Sequence, residues 1–431
     1  MKECFHRMVI AGVLLVMASG CAGPRPMPEE AAKHIQSGIE LQQKEDFDGA
    51  IAEYRAALRQ DPNDAEAHAN LGFALRKKGN VDEASEELHT ALRLNPNNSW
   101  AHYNLGAILH NQGDVDGAMA EFRTAIRLDP NKADGHIGLG ATLADKGDFD
   151  EAMAEFHTAL RLDPNNEYAR ANFGAALYRK GDLDGAIEEL RTAVRLKPND
   201  GYSHIYLGAA LKDKGDLDGA VAEFRTAIRL NPNDLNAHYN LGLALEGKRD
   251  FDGEISEYRT VIRLNPNLEV AHYALGVALM YKGDLDGAIA EYLFAIRLDP
   301  NDLRAHTNLG AVYHVKGDLD GAISEYRTAV RLNPNEANPH SDLGAVLQSK
   351  GDLDGAVSEY RISLGLNPNN AGIHFNLAIA LMGQRNVSEA EKEIEEFARL
   401  APDTPSNRQM IEQAKRRLNA IPVPGQRPGN L

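Results

Sequence analysis

The stretch Ala-His-Tyr-Asn-Leu-Gly occupies residues 101–106, and the same six residues return in the same order at 237–242. The two copies start 136 positions apart, which is four times 34. A separation that is a whole multiple of 34 indicates an internal repeat of that length. Prolines recur at the same interval without one insertion or deletion, at Pro62, Pro96, Pro130, Pro164, Pro198, Pro232, Pro266, Pro300, Pro334, Pro368 and Pro402. The sequence therefore consists of eleven units that fill residues 29–402.

Each unit has the periodicity of two helices. His102, Leu105, Gly106 and Leu109 follow one another at helical spacing, and a second set of small and apolar residues runs over 115–126. No segment alternates apolar and polar residues as a half-buried strand would. The proline that closes each unit cannot continue the second helix. The pattern predicts an all-α chain of helical hairpins.

The break between the two helices carries its own signals. A glycine suited to left-handed backbone stands there in most units, at Gly79, Gly113, Gly147, Gly181, Gly215, Gly283, Gly317 and Gly351. We expect the Asp two or three positions further on to cap the next helix. The paired aspartates resemble a calcium loop only superficially, because Lys180 and Arg191 stand where an EF-hand needs acidic residues. Helix capping is the favoured interpretation.

This 34-residue pattern resembles the tetratricopeptide repeat (TPR) family, with Leu, Gly and Leu in the first helix, Ala, Tyr or Phe and Ala in the second, and a closing Pro. The resemblance implies a right-handed superhelical solenoid of about eleven helix-turn-helix repeats, whose first helices line a concave groove for a peptide or an extended protein segment. End units need a polar cover. Residues 403–420 fit a capping helix and 421–431 a flexible tail, with inward-facing side chains expected at Met410, Ile411, Ala414 and Leu418.

The first 28 residues do not belong to the repeats. Lys2 and Arg7 precede a short apolar run and small residues, so residues 1–20 are typical of a secretory signal peptide. The segment that ends at Cys21 resembles a bacterial lipobox, although the lipobox more often has Leu where Ala18 stands. The resemblance implies a lipid on Cys21, a short Pro-rich tether over 21–28 and, since Ala22 rather than Asp follows, an outer-membrane location facing the periplasm. Ordinary cleavage or an uncleaved signal is the alternative.

Charge and composition exclude several classes of function. The formal net charge is −17, and counterion release from nucleic acid needs clustered Lys and Arg, so we expect no nucleic acid as principal partner. The repeats contain no nucleophile motif, phosphate loop or metal motif, so we expect no enzyme activity, no cofactor and no metal site. The oligomeric state is not predictable from the sequence.

A histidine recurs at one position of the first helix in ten of the eleven units, with Arg170 in the remaining one. The ten are His34, His68, His102, His136, His204, His238, His272, His306, His340 and His374. Zinc needs ligand atoms at about 2 Å, whereas equivalent residues of neighbouring hairpins lie about 10 Å apart. Packing between helices is the favoured role, with a metal or pH-sensing role as the alternative.

An asparagine recurs two positions after that histidine, at Asn70, Asn104, Asn172, Asn240, Asn308 and Asn376. The amide offers a donor and an acceptor, so spaced copies could hold the backbone of an extended peptide. A similar asparagine ladder lines the TPR superhelix of protein O-linked N-acetylglucosamine transferase. Here the ladder is interrupted at Gly138, Tyr206, Ala274 and Asp342, and in repeat one it is replaced by Gln36. The alternative is a relic of repeat duplication. Four tyrosines are expected to flank the ladder in the groove, Tyr103, Tyr206, Tyr239 and Tyr273.

The similarity to the transferase stops with the repeats, because 29 residues follow Pro402 and no catalytic domain is expected there. The sequence therefore predicts an envelope-anchored scaffold that binds a protein or an extended peptide in its groove. The alternative is a structural spacer or a self-assembling oligomerisation module without a peptide ligand. Repeat seven is expected to be the weak unit, since Arg249 replaces the usual Gly and Glu254 the usual Ala.

Overall fold

The computed structural model describes residues 29–421, and within that range the chain is built of α-helices without a β-strand. The predicted signal peptide, Cys21, the tether and residues 422–431 of the predicted tail lie outside the described residues. The helices divide between two compact units, and the division along the chain falls between Lys197 and Pro198.

The first unit contains ten helices in its described part. They are Glu29–Gln43 (α1), Phe47–Gln60 (α2), Ala65–Lys78 (α3), Val81–Leu94 (α4), Ser99–Asn111 (α5), Val115–Leu128 (α6), Ala133–Lys146 (α7), Phe149–Leu162 (α8), Glu167–Lys180 (α9) and Leu183–Leu196 (α10).

The second unit contains thirteen helices in its described part. They are Gly201–Lys214 (α11), Leu217–Leu230 (α12), Leu235–Gly247 (α13), Phe251–Leu264 (α14), Glu269–Lys282 (α15), Leu285–Leu298 (α16), Leu303–Lys316 (α17), Leu319–Leu332 (α18), Ala337–Lys350 (α19), Leu353–Leu366 (α20), Ala371–Gly383 (α21), Val387–Leu400 (α22) and Pro405–Asn419 (α23).

Successive helices pair into eleven hairpins, and α23 packs on α22 at the end of the described chain. The predicted all-α fold of stacked helical hairpins is confirmed. On α23, Ala414 and Leu418 are buried as expected, whereas Met410 and Ile411 are only half-buried. Within each unit, the first helices of neighbouring hairpins lie closer to each other than the second helices do. Examples are the contacts between α3 and α5 and between α17 and α19. The first helices therefore form the inner side of each stack.

The glycine of the repeated stretch lets the two helices of a hairpin approach closely. A Cβ atom on Gly106 would lie 2.9 Å from the Phe122 ring, and one on Gly242 would lie 2.5 Å from the Tyr258 ring. Side chains do not tolerate such distances, so the ring packs on bare backbone. Phe122 and Tyr258 are consequently almost completely buried between the two helices.

The turns contain a left-handed glycine and a capping aspartate as predicted, but the capping aspartate stands at a different position. Gly113 adopts a positive φ of 82°, and the cap of α6 is Asp114, directly after the glycine, which accepts a 3.0 Å hydrogen bond from the amide of Gly117. The expected cap two or three positions after the glycine is therefore wrong. The second aspartate of the motif instead accepts a hydrogen bond from a lysine of the next hairpin, as Asp150 does from Lys180 at 2.8 Å.

The recurrent histidine joins three parts of the chain in what we call the clasp. In the opening stretch, His102 Nδ1 lies 2.5 Å from the carboxylate of Glu121 on the second helix, and its Nε2 lies 3.0 Å from the carbonyl oxygen of Pro96. All ten histidines bond a glutamate 19 residues further on: Glu53, Glu87, Glu121, Glu155, Glu223, Glu257, Glu291, Glu325, Glu359 and Glu393. The favoured structural role is therefore correct, although it consists of polar contacts as much as packing.

At four histidines the partners of the clasp favour a cation. Both ring nitrogens of His68, His102, His204 and His306 lie within hydrogen-bond distance of an acceptor, a glutamate carboxylate and a proline carbonyl oxygen, and the imidazolium form donates to both. Arg170, the one replacement, makes the same two contacts, 2.6 Å to Glu189 and 3.0 Å to the carbonyl oxygen of Pro164. The hydrogen bond to glutamate raises the pKa above its ordinary value against the effect of burial at His68, His102, His204 and His306.

The clasp predicts a pH dependence of stability with a definite sign. A raised histidine pKa stabilises the fold fully below about pH 6.5, and that contribution is lost as the pH rises through the higher folded-state pKa. In the parent, the free energy of unfolding should therefore fall as the pH rises above about 6.5. Replacing His68, His102, His204 and His306 with Arg should reduce this fall by on the order of 1 kcal/mol per clasp, because Arg stays charged. Denaturant titrations between pH 5 and 9 measure it, with His89→Arg, at an exposed position, as the control. Equal slopes in parent and fourfold variant would contradict the clasp.

Repeat seven departs from its neighbours as expected. Arg249 adopts a left-handed φ of 58°, a conformation that Glu45 and Arg385 also adopt at the equivalent place. Glu254 is 1% exposed, and its Oε2 has no hydrogen-bond partner. Burial, together with the negative charge of Glu246, raises the pKa of Glu254 to about 7. The hairpin α13–α14 therefore carries backbone strain and an uncompensated carboxyl group.

We expect Glu254→Ala to stabilise the protein by about 1–3 kcal/mol at pH 8, because it removes a buried carboxylate without a partner. The gain should shrink as the pH falls from 7 towards 4.5, where the parent's carboxyl is neutral in the folded state. The reverse change, Ala220→Glu in the neighbouring hairpin, should introduce the same penalty. Thermal unfolding measures both, and amide exchange in α13–α14 as slow as in α11–α12 and α15–α16 would refute the weak unit.

Candidate ligand surfaces on the first helices

Each unit presents an inner face made by the first helices of its hairpins. The side chains on it come from the second, fifth, sixth, ninth and twelfth positions of each first helix, because the fourth and seventh positions pack against the second helices. We call the two surfaces the first-unit face, on α3 to α9, and the second-unit face, on α11 to α21. The predicted asparagines and tyrosines are distributed over both.

The first-unit face carries a continuous aromatic row. The Phe73 and Trp100 rings lie 5.2 Å apart between centroids, and Trp100 stacks on Tyr103 at 5.4 Å. Arg76 and Lys77 place their charges 5.6 and 5.7 Å from the Phe73 ring centroid. Cations near aromatic faces gain electrostatic attraction. Tyr103 was predicted here; the rest of the row needed the structure, because its members occupy different positions in successive repeats.

Asn104 of the opening stretch is engaged inside the protein. Its side chain is completely buried, its amide group donates to the carbonyl oxygen of Trp100 at 2.8 Å, and its oxygen accepts from Arg76 Nε at 3.2 Å. Because the side chain is completely buried, its remaining hydrogen-bonding capacity cannot reach a ligand, so Asn104 is not available for the predicted groove contact. Asn70 is also buried.

The remaining asparagines are not buried. Asn172 and Asn240 are half-buried, and each donates its amide group to the carbonyl oxygen four residues earlier, at 2.9 Å in both cases. This bond holds the side chain against its own helix and uses the amide group rather than the oxygen. Asn376 is exposed. These three side chains can accept a hydrogen bond from an incoming backbone N–H group.

A polar and aromatic cluster occupies the centre of the second-unit face. Asn308 donates its amide group to the Tyr273 hydroxyl at 3.1 Å, and the Arg304 guanidinium lies over the Tyr273 ring, 4.6 Å from its centroid. Tyr239 is half-buried against Tyr258, with ring centroids 5.6 Å apart. Tyr206 packs on Tyr202 at 4.6 Å. The predicted tyrosines 239 and 273 thus lie beside the asparagines of the same unit, on neighbouring first helices.

Two carboxyl groups hold Arg304 in place. The guanidinium donates to Asp302 from Nε at 3.1 Å and from Nη2 at 3.2 Å. Burial and the neighbouring Asp302 raise the pKa of Glu269 to about 7. Although burial acts to raise the pKa of Asp302, hydrogen bonds with Glu269 and Arg304 keep it below its usual value. Sequence reasoning missed this group, since Arg304 stands where the other repeats have unrelated residues.

Among residues 29–421, no group of three or more His, Cys, Asp or Glu side chains is arranged to hold a metal ion. In the same range no helix is long and apolar enough to cross a membrane. The chemistry of the two faces is therefore that of hydrogen bonding, aromatic contact and a few fixed charges.

Family models match most of the described chain. Models of the tetratricopeptide repeat match residues 38–268, 273–337 and 347–411. The chain belongs to the tetratricopeptide repeat family, whose helical arrays are protein-interaction scaffolds, and it is a protein–protein interaction scaffold in that general sense. No curated protein matches it.

Solved structures of other proteins are similar to the chain at low identity. Yeast Tom70 is 18% identical, with 90% of this chain and 96% of that chain covered and a TM-score of 0.41. YrrB, described as a TPR protein with an unusual peptide-binding site, is 25% identical over 44% of this chain and 98% of its own, with a TM-score of 0.35. MamA is 28% identical over 38% and 95%, with a TM-score of 0.36.

Proposed function

We propose that this chain is an envelope-anchored TPR adaptor that binds an extended protein segment on the second-unit face. The observation that carries the proposal is the row of accessible asparagines at Asn240, Asn308 and Asn376, the first two of which lie beside Tyr239 and Tyr273. The amide group of Asn240 donates to its own helix and that of Asn308 donates to a tyrosine, so the amide oxygen is the group left for a ligand. Backbone N–H groups of an extended segment are suited to such acceptors whatever the segment's side chains are.

The spacing of the amides sets the length of segment required. Neighbouring hairpins stack about 10 Å apart, so the four-hairpin distance from Asn240 to Asn376 is about 40 Å. An extended chain advances about 3.3 Å per residue, which makes the segment about twelve residues long. Tyr239 and Tyr273 would supply apolar contact with a polar tip, and Arg304 would supply a positive charge already fixed by Asp302.

The predicted lipid on Cys21 would hold this scaffold at the membrane. The short Pro-rich stretch over residues 21–28 would keep the first hairpin close to the lipid. One acyl chain binds membranes only marginally, so several chains on a lipoprotein cysteine are needed for stable anchoring. A bacterial outer membrane, with the repeats in the periplasm, is the location that the signal segment favours.

Partner capture in living cells tests the adaptor role. A photo-crosslinking residue at Tyr239 should capture a discrete protein, whereas the same residue at Ser256, exposed on the opposite side of the hairpin, should not. A peptide from the captured protein should then bind the purified chain. If Tyr239 crosslinks only to further copies of the chain, the alternative of a self-assembling spacer is correct.

Asn240, Asn308 and Asn376 should affect binding rather than folding. Replacing all three with Ala should leave helicity and the melting temperature nearly unchanged, since Ala is the better helix former. Each lost hydrogen bond costs about 0.5–1.5 kcal/mol, so affinity for the captured peptide should fall at least about tenfold in calorimetric titration. Asn104→Ala is the matched control and should do the reverse, lowering stability by about 1–3 kcal/mol because Arg76 loses its buried acceptor. A triple variant that binds as well as the parent refutes the assignment.

Cys21 should determine membrane association. Cys21→Ser should abolish labelling by a fatty-acid probe and move the protein from the membrane to the soluble fraction. The Cys4→Ser variant is the control, since Cys4 lies in the segment that signal cleavage removes. Fatty-acid labelling that persists in Cys21→Ser would show that the anchor is wrongly placed.

A further inference from the structure

The second helices of the second unit expose a dense set of arginines on their outer side. Two columns recur on α12, α14, α16 and α18, four residues apart on each helix, and all are exposed. We call them the arginine face: Arg225, Arg229, Arg259, Arg263, Arg297, Arg327 and Arg331. Residues four apart lie about 6 Å from each other on a helix, and neighbouring hairpins lie about 10 Å apart. This concentration of positive charge stands out in a chain whose net charge is −17.

Almost every carboxylate on these four helices already has a cationic partner. Asp218, Asp252, Asp286 and Asp320 form ion pairs with lysines of the following hairpins, Lys248, Lys282, Lys316 and Lys350. The glutamates Glu223, Glu257, Glu291 and Glu325 belong to clasps, and Glu254 is buried. Within residues 29–421, none of the seven arginines has an ion-pair partner. Their charge therefore remains uncompensated.

Clefts between the hairpins add hydroxyl groups to this charge. One cleft beside α14 is lined by Asp252, Ser256, Arg259, Thr260, Arg263 and Lys282. An equivalent cleft beside α18 includes Ser324, Arg327 and Lys350. The serine hydroxyls and the guanidinium groups are donors of the kind that bind phosphate oxygens in proteins, whereas the Thr260 hydroxyl already donates to the carbonyl oxygen of Ser256. Asp252 and Asp320 are paired with the lysines of their clefts, and Asp352 in the cleft beside α18 accepts a hydrogen bond as the cap of α20.

Aliphatic side chains are exposed among and beside the arginines. Leu293 takes an arginine position on α16 and is 43% exposed. Ile362, 42% exposed, and Leu366 lie on the outer side of α20, the next second helix. Of the rings on α12 to α18, Phe294 is turned against His272, 4.3 Å between centroids, rather than left free to stack on a base. Arginines with exposed aliphatic residues suit the boundary between lipid headgroups and acyl chains better than nucleic acid.

We propose that the arginine face docks on an anionic phospholipid surface, with headgroup phosphates in the clefts between hairpins and Leu293 and Ile362 at the acyl boundary. This inference does not depend on the inner-face ligand, because the arginines lie on the opposite side of each hairpin. It gives the scaffold a second membrane contact besides the predicted lipid anchor. The docked protein would present its second-unit inner face away from the bilayer.

Vesicle binding tests the proposal with the full chain carrying Cys21→Ser, so that no acyl chain contributes. Flotation with phosphatidylglycerol-containing vesicles is compared with flotation on phosphatidylcholine vesicles. Replacing Arg225, Arg259 and Arg327 with Gln should weaken binding to anionic vesicles roughly a hundredfold, at about fivefold per arginine near the surface. Binding of the parent should also fall steeply as the salt concentration rises from about 0.05 to about 0.5 M. Over this range the Debye length shortens from about 14 to about 4 Å, so the attraction between separated charges is screened.

Two control variants separate charge at this face from charge in general. Lys415, Arg416 and Arg417 on α23 changed to Gln remove the same charge elsewhere and should leave binding almost unchanged. The Arg225, Arg259 and Arg327 to Lys variant should retain most of it. Equal binding to both vesicle types, an equal loss in the α23 control, or full binding by the Gln variant would overturn the proposal. Duplex DNA or polyphosphate that binds the parent more tightly than the anionic vesicles would also overturn it, because the partner would then be a soluble polyanion.

Discussion

The contact between a backbone glycine of the first helix and a large side chain of the second determines how ten of the eleven hairpins are built, and Ala378 takes the place of the glycine in the last one. Phe122 lies against Gly106, and Tyr258 against Gly242, at distances that leave no room for a Cβ atom. The ring lies directly on the bare glycine backbone and fills the space between the two helices. The hairpin therefore has an apolar core of its own. That core is small, so each hairpin also needs its neighbours to cover its remaining apolar surface.

Polar contacts then fix the hairpins in register. The clasp joins the first helix, the second helix and the preceding loop through one side chain, a histidine or, at residue 170, an arginine. The aspartate–lysine pairs connect one hairpin with the next. Isolated ion pairs on a protein surface contribute little to stability. Their more important consequence here is that they neutralise most carboxylates on the second helices. The arginines on the outer side therefore keep a positive charge, although the net charge of the chain is negative.

The inner and outer sides of the second unit consequently have different chemistry. The inner side offers amide oxygens, tyrosines and one fixed guanidinium, a mixture suited to a polypeptide backbone. The outer side offers arginines and hydroxyl groups, a mixture suited to phosphate. A scaffold bound to a membrane by one side and to a protein by the other needs this division.

Much of the fold could be predicted from the sequence, because a 34-residue period with fixed glycine and proline positions is local information. Helix number, hairpin pairing and the place of each turn follow from spacing alone, and the prediction that repeat seven is the weak unit rests on two substitutions, Arg249 and Glu254. The register of the caps was less predictable, because two aspartates compete for one helix end and only geometry selects Asp114 over Asp116.

The sequence by itself determined the all-α repeat architecture, since the period and the glycine–ring pairs leave no other way to bury the apolar residues. Only the tertiary structure decided what the repeated polar residues do. The asparagine at 104 is buried and accepts a hydrogen bond from Arg76, which comes from the preceding hairpin, while the equivalent Asn240 is only half-buried. Likewise, the histidines and their glutamates are 19 residues apart, and the arginines of the outer face are 34 apart. Hydrogen bonds and surface charge depend on distances between different hairpins, and those distances exist only once the hairpins are stacked.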